Sequence, residues 1–170
     1  SFYILPKIIL NNAKEAAINF HPGTPKYPGT GCVNFALYEN SKEFGVTAHL
    51  MDNKVDSGRI LKVTKFPIQS KDNLQSILAR THIELEKLAL SFLATLFNEG
   101  SGYVSRQKEL MKSVHWSGNA RTLKELDDLK HIDVNLSKAE LNRIIRATYI
   151  DGYPPFIELY GHRFYLDKAH

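Results

Sequence analysis

The chain has 170 residues, of which 43% are hydrophobic and 24% charged, so it can bury the core of one domain, with a small appendage at most. Its formal net charge of +4 is scattered along the sequence, which suits a phosphorylated ligand as well as a nucleic acid and selects neither. The single cysteine, Cys32, excludes an intrachain disulfide framework and a multi-cysteine zinc site, and we expect it to be a small buried side chain. Because no apolar run approaches the ~18–20 residues that span a bilayer and no signal peptide is visible, we expect a cytoplasmic protein without a metal or a membrane partner.

The first third of the chain predicts a helix, a strand, a loop and a second helix. The opening "SFYILPKIIL" has no initiator methionine, and Pro6 favours a short helix to about Asn12. "AAINF", residues 16–20, predicts a buried strand, and a loop rich in proline and glycine, residues 22–31, then leads into a helix in residues 32–40. A helix followed by a strand is half of an α/β unit, so the predicted fold class is α/β.

The middle of the chain predicts two strands and one long helix. Residues 45–68 alternate apolar and polar side chains on both sides of the turn sequence "DNKVDSG", which indicates a β-hairpin or two neighbouring strands. Asp72, followed by Gln75, is the predicted N-cap of a helix whose apolar stripe ends before Gly100. We expect this helix to pack on the sheet.

The last part of the chain is more polar and predicts a second, smaller unit. The pairs Thr122 with Glu125 and Ser137 with Glu140 have the spacing of capping boxes, so each predicts a short helix. The end of the chain indicates a hairpin that turns near Tyr160 and Gly161. We therefore expect two parts, residues 1–102 and residues 103–170, the second made of helices and a hairpin.

Asn19 and His21 are the first candidate site residues. Residues i and i+2 of a strand point to the same side, so the two side chains project together from the end of the predicted strand. If that strand is parallel in an α/β sheet, its carboxyl end opens on the crevice where ligands bind. An amide donor and a titratable imidazole can stabilise an oxyanion and move a proton. The alternative is that Asn19 caps the loop and His21 binds a buried carbonyl group.

A carboxylate downstream favours the catalytic interpretation. Asp56 lies in the glycine-bounded turn between the two predicted strands, where it could orient the imidazole and raise its pKa. "NFHPGTPKYPGTG", residues 19–31, joined to "GVTAHLMDNKVDSGRI", residues 45–60, resembles the catalytic core of the formyltransferases that use N10-formyltetrahydrofolate. That family includes glycinamide ribonucleotide, methionyl-tRNA and sugar-nucleotide N-formyltransferases. Its essential Asn, His and Asp fall on Asn19, His21 and Asp56, and the matching positions around them are Gly45, Val46, Thr47, His49 and Gly58.

The resemblance implies a mechanism and part of a Rossmann-like domain. An acceptor amine would attack the formyl carbon, Asn19 and protonated His21 would hold the developing oxyanion, and Asp56 would tune His21 and assist proton removal. Whether His21 acts as a base or as an electrophile stays open, and His49 is expected to give a supporting hydrogen bond. The family's first strands and helices precede "YILP" and are missing here. We therefore expect a piece of a longer protein, the alternative being an inactive descendant.

The resemblance also implies the binding residues and the ligands. The co-substrate N10-formyltetrahydrofolate would lie against Tyr3, Ile4 and Leu5 and against the turn with Met51, Asp52 and Val55, while Tyr27, His49 and Trp116 would contact the acceptor. Trp116 could stack on a nucleotide base or attach the small unit to the large one.

The tail, with "HWSGNARTL" and a terminal aromatic hairpin, is similar to that of sugar-nucleotide N-formyltransferases. We therefore expect a nucleotide-linked amino sugar rather than a nucleic acid as acceptor, and a homodimer through the hairpin. A formyltetrahydrofolate hydrolase, a methionyl-tRNA formyltransferase and, for a complete chain, a non-catalytic module are the alternatives.

Overall fold

The computed structural model describes residues 6, 8, 10, 12, 13 and 16–167. The predicted cofactor residues Tyr3, Ile4 and Leu5 lie outside the described residues. The Leu10 amide donates to the Pro6 carbonyl and the Asn12 amide to the Ile8 carbonyl, at 3.3 and 3.2 Å, which is the spacing of helical turns.

Within the described part of the chain, the sheet has three strands, β1 (Ile18–His21), β2 (Glu43–Leu50) and β3 (Ile60–Pro67), in the order β1-β2-β3. Both pairings are antiparallel, so β1 has no parallel neighbour among the described residues. The parallel arrangement considered for β1 is therefore not the one found among these residues: after a loop and one short helix, β2 runs back along β1 in the opposite direction. The predicted hairpin in residues 45–68 is confirmed as β2 and β3.

The strand register decides which side chains share a face. Asn19 pairs with His49, and His21 pairs with Thr47, so these four side chains project from one face of the sheet. A bulge lies where the β2–β3 register shifts between Ala48 and His49. Bulges bend a strand and re-aim its side chains, here next to the candidate site.

Residues 16–167 contain five helices. They are α1 (Cys32–Tyr38), α2 (Leu74–Glu99), α3 (Ser101–Leu110), α4 (Leu123–Lys130) and α5 (Lys138–Thr148). The predicted helices in 32–40 and after residue 72 are confirmed, as are the two short helices that begin at the Thr122 and Ser137 caps. Helix α3 was not predicted, because its sequence "SGYVSRQKEL" has only two buried residues, Tyr103 and Val104.

The predicted N-cap of α2 is wrong by one residue. The Asn73 side chain accepts a hydrogen bond from the Ser76 amide at 2.9 Å, and the Asn73 amide donates to the Ser76 hydroxyl at 3.0 Å. The Asp72 carboxylate instead pairs with the Arg80 guanidinium at 3.1 Å. Arg80, about two helical turns after Asp72, thus pairs with the carboxylate that the spacing had assigned to capping.

The apolar face of the sheet packs against α2 and α3, as expected for α2. Val46 and Ala48 of β2 are fully buried there with Leu88 and Phe92 of α2. A second cluster joins α1, the start of α2 and Ala147 of α5. Since side chains alternate along a strand, burial of one face leaves Thr47 and His49 on the other face, which is the face that carries Asn19 and His21.

The chain ends in a hairpin of β4 (Phe156–Leu159) and β5 (His162–Tyr165), as predicted. Tyr160 and Gly161 form its turn, with φ angles of 52° and 79°, the conformation of the tight turns that join antiparallel strands. The division of the chain at residue 102 stays a prediction. Within the described ranges, no helix is long and apolar enough to cross a membrane.

Candidate active site

One carboxylate joins two imidazoles at the centre of the site. Asp56 Oδ2 lies 3.1 Å from His21 Nδ1, and Asp56 Oδ1 lies 3.3 Å from His49 Nε2. The Gly29 amide also donates to Oδ2 at 2.8 Å. The side chains of Asp56, His21 and His49 are 8%, 4% and 3% exposed, so the contacts are made away from bulk water. The structure thus brings together His21 and Asp56, which lie 35 residues apart in the sequence.

The turn that carries Asp56 holds it in an unusual backbone conformation. Its φ angle is 42°, in the left-handed region that asparagine and aspartate enter more readily than most residues. Gly58, two residues later, packs so closely that a Cβ atom would lie 1.8 Å from the Leu50 carbonyl oxygen. The sequence "VDSG" is therefore suited to a tight turn that points one carboxylate back at the sheet.

Both ring nitrogens of His21 are engaged. Nε2 donates to the Tyr27 carbonyl at 2.9 Å, because a carbonyl oxygen only accepts, and Nδ1 faces the Asp56 carboxylate. Burial lowers the pKa of His21, while the negative charge of Asp56 and the Tyr27 carbonyl act in the opposite direction. The carbonyl-binding role considered for His21 and its predicted contact with a carboxylate are thus both found, one at each nitrogen.

Asn19 reaches the cluster through His49. The Asn19 amide Nδ2 lies 3.1 Å from His49 Nε2, and His49 Nδ1 donates to the Leu50 carbonyl at 2.7 Å. With its proton on Nδ1, His49 accepts the hydrogen bond of the Asn19 amide at Nε2. The same nitrogen faces Asp56 Oδ1, so His49 links the amide to the carboxylate.

The pKa of Asp56 lies below its usual range. Burial alone would raise it, but hydrogen bonds from His49 and Gly29 and the charge of His21 favour the carboxylate and outweigh that effect. The cluster therefore keeps a negative charge beside two imidazoles. Such an arrangement can accept a proton at an imidazole and stabilise the cation that results.

The loop after β1 is fixed to the sheet by small contacts. The Thr47 hydroxyl donates to the Gly23 carbonyl at 2.7 Å, and the Cys32 thiol to the Pro22 carbonyl at 2.9 Å. Burial raises the pKa of Cys32 to about 12, so its thiol stays protonated and packs as the small buried side chain that was expected. At Gly23 a Cβ atom would lie 2.4 Å from His21 Nε2, so the loop can approach the imidazole only with glycine there.

Trp116 is brought into the cluster from the C-terminal part of the chain. Its ring contacts His49 and His21 edge to face, with centroid distances of 4.9 and 5.5 Å, and its Nε1 donates to the Gly58 carbonyl at 2.8 Å. Its predicted contact with the acceptor stays a prediction.

Tyr27 is 3% exposed, and its hydroxyl donates to Glu39 at 3.0 Å. Its contribution to the cluster is the backbone carbonyl. Sequence reasoning missed this carbonyl and the Gly29 amide, because backbone groups leave no signal in residue types.

The predicted cofactor residues in the turn lie beside the cluster. Met51 is half-buried, and its amide donates to the Ala17 carbonyl at 2.7 Å. Asp52 is exposed, and Val55 is 45% exposed immediately before Asp56. Their binding role stays a prediction.

A cavity of about 420 Å³ lies against the loop that follows β1. Its lining includes Tyr27, Lys26 and Lys65, and both lysines pair with carboxylates, on Glu39 and Glu43. None of the clustered side chains lines it, so the cavity and the candidate chemistry are at different places.

Comparisons with known proteins agree on the family. The sequence profile of the family described as "Formyl transferase" matches residues 2–93, just over half of the chain. A methionyl-tRNA formyltransferase of Pediococcus pentosaceus is 30% identical over 144 residues, which are 84% of this chain and 42% of that protein. A GDP-perosamine N-formyltransferase of Brucella melitensis is 26% identical over 159 residues, 91% of this chain and 56% of that protein.

Solved structures show the same fold. A sugar N-formyltransferase from a Shewanella species superposes with a TM-score of 0.74 at 21% identity, over 98% of this chain and 65% of that one. An N-formyltransferase from Helicobacter canadensis, solved with folinic acid and dTDP-3-aminofucose, gives a TM-score of 0.58 at 20% identity, over 86% of this chain and 52% of that one. The chain spans about half the length of the curated relatives described above. With an α/β fold and a profile match over more than half of its length, the chain belongs to the formyl transferase family.

Proposed function

We propose that the protein transfers a formyl group from N10-formyltetrahydrofolate to the amino group of a nucleotide-linked amino sugar. The observation that carries the proposal is the buried cluster in which the Asp56 carboxylate contacts His21 and His49, and His49 contacts Asn19. Formyl transfer forms a bond between the amine nitrogen and the formyl carbon and breaks the bond from that carbon to N10. It needs a donor for the carbonyl oxygen and a group that takes the ammonium proton and passes it to N10 of the departing tetrahydrofolate. The cluster offers an amide for the first role and an imidazole–carboxylate pair for the second.

We assign to Asn19 the role of donating a hydrogen bond to the oxygen of the formyl group. Its amide nitrogen carries two protons, and one of them is directed at His49. The second can donate to an oxyanion, a type of contact whose removal costs about 2.7–4 kcal/mol of transition-state stabilisation elsewhere. His49 then acts by holding the amide in place.

We assign to His21, paired with Asp56, the role of removing the proton from the attacking amine. Burial lowers the pKa of His21 and so favours the neutral ring. Once the Tyr27 carbonyl no longer accepts from Nε2, the single proton of the neutral ring can lie on Nδ1, facing Asp56, and Nε2 can act as a base. Both nitrogens are engaged here, and a substrate can reach Nε2 only by replacing the Tyr27 carbonyl, 2.9 Å away. The proposal therefore requires a small movement of the loop in residues 22–28 when the acceptor binds.

The turn in residues 51–55 fits a co-substrate held through backbone groups and apolar walls. Residues 52–55 are exposed and adjoin Asp56, and Met51 and Val55 supply apolar surface. When bound, the formyl-folate supplies the formyl group, and this turn positions it beside the cluster. One structural relative was solved with folinic acid, which supports this class of ligand.

A sugar nucleotide is the favoured acceptor, and methionyl-tRNA is the second candidate. The GDP-perosamine enzyme matches 91% of the chain, and the Helicobacter canadensis enzyme was solved with dTDP-3-aminofucose. The methionyl-tRNA formyltransferases match at 30–36% identity, which keeps that acceptor in competition. The predicted C-terminal helices and hairpin that favour a sugar nucleotide are present, covering residues 123–165.

The test is formyl transfer by the full-length protein. It is incubated with N10-formyltetrahydrofolate and nucleotide-linked amino sugars, and mass spectrometry records a gain of one formyl group. His21→Gln should abolish the gain, while His82→Gln makes the same change at an exposed position of α2 and should not alter it. Formylation of methionyl-tRNA alone would favour the second candidate, folate release without an acceptor would indicate a hydrolase, and no reaction would contradict the proposal.

We also propose that two copies associate through the terminal hairpin in the cytoplasm. Tyr160 is fully exposed, and Phe164 and Tyr165 are 55% and 57% exposed. Exposed aromatic side chains in one small hairpin are typical of a surface that another molecule covers. Sedimentation of the wild type and of the Phe164→Ser variant should show a dimer and a monomer, and an unchanged mass would contradict this proposal.

A further inference from the structure

Trp116 bridges the parts of the site that must stay together. Its ring is nearly perpendicular to the rings of His49 and His21, at 86° and 75°, and its Nε1–H donates to the Gly58 carbonyl. Gly58 ends the turn that carries Asp56. A single side chain from residues beyond α3 therefore contacts both imidazoles and the segment that presents the carboxylate.

The residues after Trp116 hold the other side of the cluster. The Ser117 amide donates to the Pro25 carbonyl at 2.9 Å, the Arg121 amide to the Pro28 carbonyl at 3.0 Å, and the Thr30 amide to the Arg121 carbonyl at 2.8 Å. We call residues 116–121 the strap.

The strap reaches the loop residue that binds Asp56. Arg121 forms a parallel bridge with Gly29, whose amide donates to Asp56. Gly29 has a φ of 85°, and a Cβ atom there would lie 2.3 Å from the Arg121 carbonyl oxygen. The strap thus fixes the loop and, through it, one of the three contacts of the carboxylate.

We propose that Trp116 is a positioning residue for the reaction, acting through the Asp56 turn and the two imidazoles rather than by stacking on the acceptor's base. The indole N–H is already donated to Gly58, and the ring already meets two side chains, so its polar atom and this contact surface are in use. The half-buried indole also excludes water from the carboxylate, which strengthens the interaction between Asp56 and the imidazoles. The effect of Trp116 on the rate of the reaction rests on the proposed function, but its contact with the two imidazoles and Gly58 does not.

The contact can be tested by fluorescence without any substrate. A protonated imidazole in contact with an indole quenches its emission, so Trp116 should report the protonation of His21. The wild-type spectrum minus that of Trp116→Phe isolates the emission of this residue. We expect the difference to rise as pH increases and His21 loses its proton, and the pH midpoint to shift in His49→Gln, because the charge of His49 acts on His21. A difference spectrum that does not change between pH 4 and pH 9 would overturn the inference.

The positioning role is tested by separating kcat from KM. Trp116→Phe keeps an aromatic ring and loses one hydrogen bond, so kcat should fall about 3- to 10-fold while KM for both substrates stays within about twofold. The pH optimum of kcat should shift as well, which a loss of packing alone would not produce. Tyr153→Phe removes one polar group from an aromatic residue that is 74% exposed, and serves as the control with unchanged kcat.

Two further outcomes complete the test. An increase in KM for the sugar nucleotide with kcat unchanged, together with a change of Trp116 fluorescence on adding the nucleoside diphosphate alone, would mean base stacking and overturn the inference. If the wild type formylates no acceptor, the proposed function fails, and the pH-dependent fluorescence still decides whether Trp116 contacts the imidazoles.

Discussion

Replacing Asp56 by Asn tests the cluster most directly, because the change removes a charge and keeps the shape. Asparagine tolerates the φ angle of 42° that Asp56 adopts, so the turn is preserved. The amide oxygen can still accept the Gly29 hydrogen bond, now 2.8 Å long. What disappears is the negative charge 3.1 Å from His21 Nδ1 and 3.3 Å from His49 Nε2.

The expected loss follows from those two contacts. A hydrogen bond to a charged group contributes about 1.5–3 kcal/mol and a neutral one about 0.5–1.5 kcal/mol, so each contact weakens by roughly 1–1.5 kcal/mol. If both weaken in the transition state, the barrier rises by about 2–3 kcal/mol, or about 30- to 150-fold in kcat. If Asp56 also assists proton removal, the loss of that role adds about 10²–10⁴-fold. We therefore expect a fall of at least about 30-fold.

The assay is single-turnover formyl transfer at saturating substrates, with far-UV circular dichroism and urea unfolding on the same preparations. Asp128→Asn, which makes the same change at an exposed position of α4, is the matched control. A kcat for the Asp56→Asn variant within threefold of the wild type, in a protein as well folded, would refute the reasoning. It would show that the carboxylate is a structural group of the turn.

Three other results are expected. Gly23→Ala should lower kcat at least about 10-fold, because the added Cβ atom would lie 2.4 Å from the imidazole of His21. Gly102→Ala, whose Cβ atom would have nothing within 4 Å, should not lower kcat, and equal activity of the two variants would contradict this. The free energy of unfolding, measured with urea, should rise from about pH 4 to about pH 6.5. The pKa values of Asp56 and His21 are both lowered by folding, so the unfolded chain binds more protons than the folded chain in that range. A free energy of unfolding that does not change over this range would contradict the prediction. Phe92→Ala, at a fully buried position, should lower the free energy of unfolding by about 3–5 kcal/mol, and a loss below about 1 kcal/mol would mean that the core rearranges.

The period of two along the strands predicted which site residues share a face, but it did not predict the direction of the strands in the sheet. Asn19 and His21 share a face, and Thr47 and His49 oppose them, because alternation and register are local properties of strands. The direction of β1 relative to its neighbour was open in the sequence, because direction depends on the connection that follows. The cap of α2 moved by one residue for a similar reason, since Arg80 competes for Asp72.

Contacts between distant parts of the chain could not be derived from residue types. Trp116 lies 60 residues beyond Asp56 in the sequence, and nothing in "HWSGNAR" indicates which turn it meets. The Tyr27 carbonyl and the Gly29 amide are backbone groups, which every residue has, so their roles at the cluster depend on the fold alone. Glycine was the one indirect signal, because Gly23 and Gly29 stand where a side chain would collide with the cluster or the strap.

The sheet and the loop over His21 hold the site residues with different firmness. Val46 and Ala48 are fully buried against α2, so the backbone that carries Thr47 and His49 cannot move without disturbing the core. The His21 imidazole, by contrast, is closed off by a loop that one carbonyl group and a few backbone hydrogen bonds hold in place. Loop contacts of that kind open at far lower free energy than a packed core. In the proposed reaction, the acceptor amine displaces the Tyr27 carbonyl from His21 while Asp56 and His49 stay where the sheet and its turn hold them.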